Sequence, residues 1–168
     1  GIIFKDRHHV YSPSSVYPAY ENITTNPCGE IMMGPDDSCR LISLNMSSCV
    51  TNPHTSKARF DYTLWEKNAY NGMILNDVLV DLELESIKAI INKIKNDPES
   101  NRVKRNEMQM WINFYNKGRE GRRAGLGFTG LGDTLAMLGA EYGSDKSVRV
   151  LKKIMKAKFT GELTASIE

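Results

Sequence analysis

The chain has 168 residues, of which 40% are hydrophobic and 25% charged, enough for one globular domain with a buried core. Its formal net charge of +2 argues neither for nor against nucleic acid, and we predict no DNA binding. No apolar run approaches the ~18 residues of a membrane-spanning helix, and the first residues lack a signal-peptide pattern, so we predict no membrane role. Three cysteines without framework spacing indicate a reducing, cytoplasmic setting.

Residues 1–20 predict a short strand followed by a loop. The apolar residues 2–4 suggest the strand, and the serines and prolines of 12–18 are loop signals. His8 and His9 raise the hypothesis of a metal site. No Cys-x-x-Cys or His-x-x-x-His spacing supports zinc, so solvated or structural histidines are favoured.

The most informative stretch is Asn26-Pro27-Cys28-Gly29-Glu30. Pro27 fixes its own φ and biases Asn26 towards an extended conformation, and Gly29 permits a tight bend. The pattern predicts a stiff loop with the thiol at its tip and with the amide and the carboxylate on either side.

These three groups suit chemistry on a sugar diol. The Glu30 carboxylate can accept a hydroxyl proton as a general base, the Asn26 amide can hold a neighbouring hydroxyl, and the sulfur can exchange a hydrogen atom or an electron pair. Cys39 follows eleven residues after Cys28, and the turn-forming residues 34–37 would bring it back towards the first sulfur. The alternative is that Cys28 is a small buried hydrophobic residue.

Residues 41–46 alternate between apolar and polar and predict a strand. Cys49 is predicted to be a packing residue. Residues 60–96 carry a helical apolar pattern, with Gly72 as a soft spot that could bend the helix. Asp77, Asp81 and Glu85 could share one helix face, and without an accompanying histidine they favour a solvated face over a metal site.

A second helix is predicted over 102–117, with Val103, Met110, Trp111 and Phe114 facing inward. The basic residues of this region could form a phosphate-binding stripe, but acidic residues interrupt them. We therefore favour a solvated surface or internal ion pairs for these cations, namely Arg102, Lys104, Arg105, Lys117, Arg119, Arg122 and Arg123.

Residues 125–130 match the dinucleotide fingerprint Gly-x-Gly-x-x-Gly. The fingerprint requires an apolar strand before it, and residues 118–123 are polar and charged. We therefore predict that these glycines are structural and let a strand turn closely into a helix over 131–138. Ser144 is predicted to cap a final helix that runs towards the C-terminus.

Three separated stretches resemble one known family. Residues 26–30, followed by 38–41 and 44–46, resemble the radical-site segment of ribonucleotide reductase large chains, most closely the adenosylcobalamin-dependent class II. Residues 76–85 resemble the helix after that site, and 122–133 resemble a later glycine-rich strand-to-helix segment. The resemblance implies a central-to-C-terminal fragment of such a chain.

The resemblance implies an α/β fold, a helix-dominated fragment of the family's ten-stranded α/β barrel. It implies one partial catalytic-barrel domain over 1–168. Residues 1–59 would form a strand and loop segment with the cysteine finger loop. Residues 60–168 would be mainly helical, with the glycine-rich strand-to-helix segment at 124–138.

The resemblance also implies a reaction, the radical reduction of ribonucleotides to deoxyribonucleotides. Cys28 would become a thiyl radical that takes the 3′ hydrogen atom, Glu30 would deprotonate the 3′ hydroxyl, and Asn26 would hold the sugar. Cys39 would be half of a dithiol that ends as a disulfide, reduced again by an external dithiol protein such as thioredoxin. Adenosylcobalamin would supply the radical.

The chain also departs from the family. The other dithiol cysteine belongs to an upstream part, and we recognise no cobalamin-contacting motif, so we expect no turnover from this chain alone. We expect a partner, the remaining part of the reductase chain, or a homo-oligomer, because a partial barrel exposes strand edges. The alternatives are a helical structural or interaction module, and a small thiol-redox protein that uses Cys28 and Cys39.

Overall fold

The structure is a computed structural model that describes residues 4–12, 15, 17–18, 24–26 and 29–168. The chain forms two compact units, Gly1–Cys39 with Val80–Arg123, and Arg40–Leu79 with Ala124–Glu168. Five α-helices and six short strands are described. The strands are β1 Thr24–Asn26, β2 Ile31–Met33, β3 Arg40–Asn45, β4 Val50–Thr51, β5 Arg59–Phe60 and β6 Ala124–Thr129. The helices are α1 Lys5–Tyr11, α2 Tyr62–Asn96, α3 Asn101–Gly121, α4 Leu131–Met137 and α5 Asp145–Ile167, and a 3-10 helix spans Met46–Cys49.

The first unit begins with a helix where a loop was predicted. α1 occupies Lys5–Tyr11, a run without glycine or proline, and Asp6 lies in its first turn, where a negative charge interacts favourably with the helix dipole. The prediction of a loop after residue 4 was therefore wrong for these residues. The apolar residues 2 and 3 and the side chains of His8 and His9 lie outside the described part.

α3 confirms the second predicted helix, and two of its four predicted inward residues are half-buried. Trp111 and Phe114 are half-buried, with their ring centroids 5.6 Å apart in an edge-to-face arrangement. Val103 and Met110 are exposed, so the prediction that they face inward was wrong. The more buried side of α3 passes through Trp111 and Gly118. Since each residue turns an α-helix by about 100°, this side lies about 100° around the helix from Met110.

The second unit is built on a parallel pair of strands. β3 and β6 pair in register from Arg40 with Ala124 to Asn45 with Thr129. β6 runs directly into α4, which confirms the predicted glycine-rich strand-to-helix segment. β3 confirms the strand predicted from alternation.

The core of the second unit gathers around one tryptophan. Trp65 is fully buried in α2, and its ring lies edge-on to Phe60, with 6.0 Å between centroids. The buried cluster comprises Met46, Cys49, Phe60, Trp65, Ile154 and Ala157. α5 closes over this core, and its predicted cap is confirmed because the Ser144 hydroxyl accepts a hydrogen bond from the Ser147 N–H at 3.2 Å.

Gly72 serves packing. α2 continues through it without interruption from Tyr62 to Asn96. A Cβ at Gly72 would lie 3.0 Å from Leu126 Cδ1 and 3.2 Å from Leu44 Cδ2, so its absence lets the side chains of β3 and β6 approach the helix. One turn later, the fully buried Asn76 donates from Nδ2 to the Gly125 carbonyl at 3.1 Å. This helix is thereby tied to the glycine-rich strand.

The described residues form an α/β structure dominated by helices. Their strands make three two-stranded sheets, β1–β2, β3–β6 and β4–β5, and no closed barrel. None of the described helices is long and apolar enough to cross a bilayer.

Candidate functional site

A β-hairpin carries the Asn-Pro-Cys-Gly-Glu stretch. β1 and β2 pair antiparallel, with Thr24 opposite Met33 and Asn26 opposite Ile31. The connection therefore comprises residues 27–30. Buried Met32 and Met33 anchor the returning strand, because each is only 4% exposed.

The two polar residues predicted beside the thiol lie at the two ends of this connection. Asn26 ends β1 and is half-buried, whereas Glu30 precedes β2 and is exposed. Gly29 has a φ of +93°, a conformation that favours glycine and reverses the chain before Glu30. Pro27 and Cys28 lie outside the described residues, so the convergence of the three side chains stays a prediction.

Cys39 lies in the same unit, directly before β3, and is half-buried. The predicted turn between the two cysteines is present, since Pro35 and Asp36 form a turn and Asp36 has a φ of +59°. The chain therefore bends between the hairpin and Cys39.

A buried ion pair lies two residues before Cys39. Arg123 Nε contacts Asp37 Oδ2 at 2.6 Å, and the side chains are only 9% and 2% exposed. The other carboxylate oxygen of Asp37 accepts from the Ser38 N–H at 3.0 Å. The ion pair joins the segment just before Cys39 to Arg123, the residue directly before β6. Asp37 was predicted only as part of a turn. Its charge within a turn-forming run was the sequence feature that could have indicated an ion pair.

The third cysteine behaves as predicted, as a packing residue. Cys49 is 1% exposed within the core cluster. The Asn68 amide donates to its sulfur at 3.6 Å. Burial is the main cause that raises the pKa of the Cys49 thiol above its ordinary value, so it stays protonated.

The cations of α3 and of the two positions after it form ion pairs, one of which is internal, as favoured from the sequence. Arg122 Nη1 donates to Asp81 Oδ1 at 2.8 Å, and this hydrogen bond lowers the pKa of Asp81. Arg123 pairs with Asp37. Lys104 donates to the Asp97 carbonyl at 2.6 Å, which ties α3 to the end of α2. Among the residues that the structure describes, no cluster of three or more His, Cys, Asp or Glu side chains could hold a metal ion.

The glycine-rich segment has contacts of a structural kind. Gly125 accepts the Asn76 amide, and a Cβ at Gly127 would lie 3.3 Å from Ser43 Oγ in the paired strand β3. These glycines allow close approach between helix and strand and between strand and strand. Their contacts agree with the structural role predicted for them.

Comparison with known proteins places the whole chain in one family. The sequence model described as "Ribonucleotide reductase, barrel domain" matches residues 1–168. The chain is 26% identical over 156 residues to a protein named vitamin B12-dependent ribonucleoside-diphosphate reductase from Mycobacterium tuberculosis strain CDC 1551 / Oshkosh. The protein of the same name from strain ATCC 25618 / H37Rv has the same identity and coverage. Each alignment covers 93% of this chain and 18% of the relative. No solved structure matches significantly.

Proposed function

Because the chain belongs to the ribonucleotide reductase barrel-domain family, we propose that it is the catalytic segment of a ribonucleoside-phosphate reductase. Radical chemistry would occur at Cys28, in a segment of the family's ten-stranded barrel. The observation that carries the proposal is the match over residues 1–168, combined with Asn26 and Glu30 at the two ends of the connection that contains Cys28.

Each proposed role follows from the chemistry of the side chain. The Cys28 thiyl radical takes the 3′ hydrogen atom of the ribose and becomes a thiol, leaving a carbon radical on the sugar. The Glu30 carboxylate accepts the 3′ hydroxyl proton as general base, and the Asn26 amide holds the sugar hydroxyls. The exposed carboxylate and the half-buried amide suit these tasks, because substrate must reach the first and the second needs a fixed orientation.

The overall reduction requires two electrons. We propose that Cys39 supplies one sulfur of the dithiol, which ends as a disulfide while the 2′ hydroxyl leaves as water. The second sulfur would come from the rest of the reductase, since the chain spans 18% of the relatives that it matches. An external dithiol protein such as thioredoxin would reduce the disulfide and restore the enzyme in the cytoplasm.

Adenosylcobalamin is the radical source that the relatives' names suggest, and homolysis of its carbon–cobalt bond is the chemistry that it would supply. The described residues offer no group that we can assign to it. Within them, His54 is the histidine with a described side chain, and it lies exposed on a loop, away from any cluster of metal-ligating groups. We therefore assign no residue of this chain to the cofactor and derive no step through it.

The experiment measures deoxyribonucleotide formation by the longer reductase polypeptide that carries these residues. Glu30→Gln should lower kcat by about 10²–10⁴-fold, the usual contribution of a general base. Asn26→Ala should mainly raise KM. Glu66→Gln is the matched control, since Glu66 is exposed on α2.

An unchanged kcat in Glu30→Gln would overturn the assignment of the base. If neither hairpin variant affected turnover, the chain would have to act as a structural module.

A further inference from the structure

Two adjoining cavities in the second unit concentrate positive charge. The first holds about 490 Å³, and its lining includes Thr55, Ser56, Arg59 and Lys146. The second holds about 420 Å³ between Tyr62 and the first half of α5. They adjoin because Tyr62, Lys146 and Val150 line both. Each volume lies within the ~300–1,000 Å³ usual for ligand pockets.

Among the described residues, the cations around these cavities have no acidic partner. Arg59 and Lys146 line the first cavity, and Arg149, Lys152 and Lys153 join Lys146 in the second. No carboxylate lines either one. The ion pairs of the described chain involve other cations, and none joins these five to a described acid. In a chain with 22 basic and 20 acidic residues, this is a local excess of positive charge.

The surrounding residues give the site fixed donors. Lys146 Nζ donates to the carbonyls of Leu138 and Gly139 at 3.2 and 2.9 Å, so its ammonium is held at the end of α4. Tyr62 is half-buried against Phe60, with ring centroids 5.2 Å apart. Burial raises the pKa of Tyr62, so its hydroxyl remains a donor at neutral pH.

We propose that these two cavities form a binding site for a small molecule that carries linked phosphate groups. Lysine and arginine side chains, with hydroxyl donors beside them, are the groups that proteins use to bind phosphate oxygens. Among the described residues assigned to reduction, Asn26, Glu30 and Cys39 are not among the lining residues.

The dimensions favour a small ligand over nucleic acid. From Lys146 to Lys153 the helix advances about 11 Å, at 1.5 Å per residue. That length matches about three phosphates at the 3.4 Å spacing of one nucleic-acid strand, below the ~4–16 nucleotides of a typical single-strand site. The aromatic lining is also limited to Tyr62 and the buried Phe60, which is too little for successive bases to stack.

Calorimetric titration of the chain with inorganic tripolyphosphate, at about 0.15 M ionic strength, tests the proposal. We expect one site per chain. Arg149→Gln with Lys153→Gln should weaken binding at least about ten-fold, equivalent to about 1.4 kcal/mol. Lys93→Gln with Lys156→Gln is matched in charge and leaves both cavities intact, so it should bind as the original chain does. Circular dichroism would confirm that both variants fold.

Two further arms identify the ligand class. Orthophosphate should bind more weakly than tripolyphosphate, because it meets fewer of the cations at once. A single-stranded oligonucleotide should bind no more tightly than tripolyphosphate. Absence of tripolyphosphate binding, equal loss in both double variants, or tighter binding of the oligonucleotide would each overturn the proposal.

Discussion

Arg123 and Asp37 form a buried ion pair, with 2.6 Å between Nε and Oδ2. Asp37 lies two residues before Cys39, which directly precedes β3. Removing one partner of a buried ion pair is destabilising, so Asp37→Asn should lower the free energy of unfolding by up to about 3–5 kcal/mol. The neighbouring pair of Arg122 with Asp81 is a matched control, because its side chains are 35% and 59% exposed. Asp81→Asn should change stability far less. Urea unfolding measures both, and equal losses would contradict the assigned burial of the first pair.

Asn76 should not tolerate a negative charge. Its amide donates to the Gly125 carbonyl, and the side chain is fully buried. Asn76→Asp would place a carboxylate against a carbonyl oxygen, and we expect a loss of several kcal/mol at pH 7 that lessens as acid protonates the group. Asn71→Asp, on an exposed position of α2, is the control and should be nearly neutral. If Asn76→Asp were as stable as the control at pH 7, the inferred tie between helix and strand would be wrong.

Two glycine-to-alanine changes should have opposite signs. A Cβ at Gly161 in α5 would overlap the Glu66 carbonyl oxygen and lie 3.0 Å from the Tyr70 nitrogen, so the backbones would have to separate. Gly161→Ala should destabilise by about 1–3 kcal/mol, the usual cost of overpacking. At Gly132 in α4 a Cβ meets nothing within 4 Å, and alanine should stabilise by about 0.4–1 kcal/mol. Thermal unfolding distinguishes the two, and destabilisation of similar size in both would argue against the α2–α5 contact.

The buried thiol of Cys49 should lower the free energy of unfolding at alkaline pH. Its folded-state pKa lies above the ordinary value, so at about pH 9 and higher the unfolded chain loses this proton first. The unfolded state then binds fewer protons, and stability should fall by up to about 1.4 kcal/mol per pH unit. Cys49→Ala should lack this component, whereas the titration of Tyr62 remains in both proteins. Urea unfolding between pH 8 and 10 measures the difference, and identical pH dependence would contradict the prediction.

Local sequence patterns predicted several elements. The apolar period of residues 60–96 predicted α2, alternation predicted β3, and the glycine-rich run predicted β6 followed by α4. In each case the signal lies within one stretch, where periodicity records which face is buried. The strands of the β1–β2 hairpin have only three residues each, too few for alternation to be visible, and α1 was missed because nearby loop signals dominated.

Local sequence patterns could not predict the long-range contacts. The pairing of Asp37 with Arg123 joins residues far apart in the chain. The sequence did not indicate the two basic cavities, because Arg59 in β5 and the cations of α5 come close only after folding. The cations near α3 were considered as a phosphate-binding stripe because they lie close together in the sequence. The resemblance predicted Asn26, Cys28, Glu30 and Cys39 as site residues, and the hairpin has Asn26 and Glu30 at the two ends of its connection.

Radical chemistry at the sulfur of Cys28 is the central proposal, and one comparison tests it directly. Deoxyribonucleotide formation should be measured in the longer reductase polypeptide with Cys28→Ser, and in parallel with Cys49→Ser as a cysteine variant away from the hairpin. We expect Cys28→Ser to abolish turnover and Cys49→Ser, once circular dichroism shows that it folds, to retain it. Turnover that persists in Cys28→Ser would contradict the assignment of the radical site.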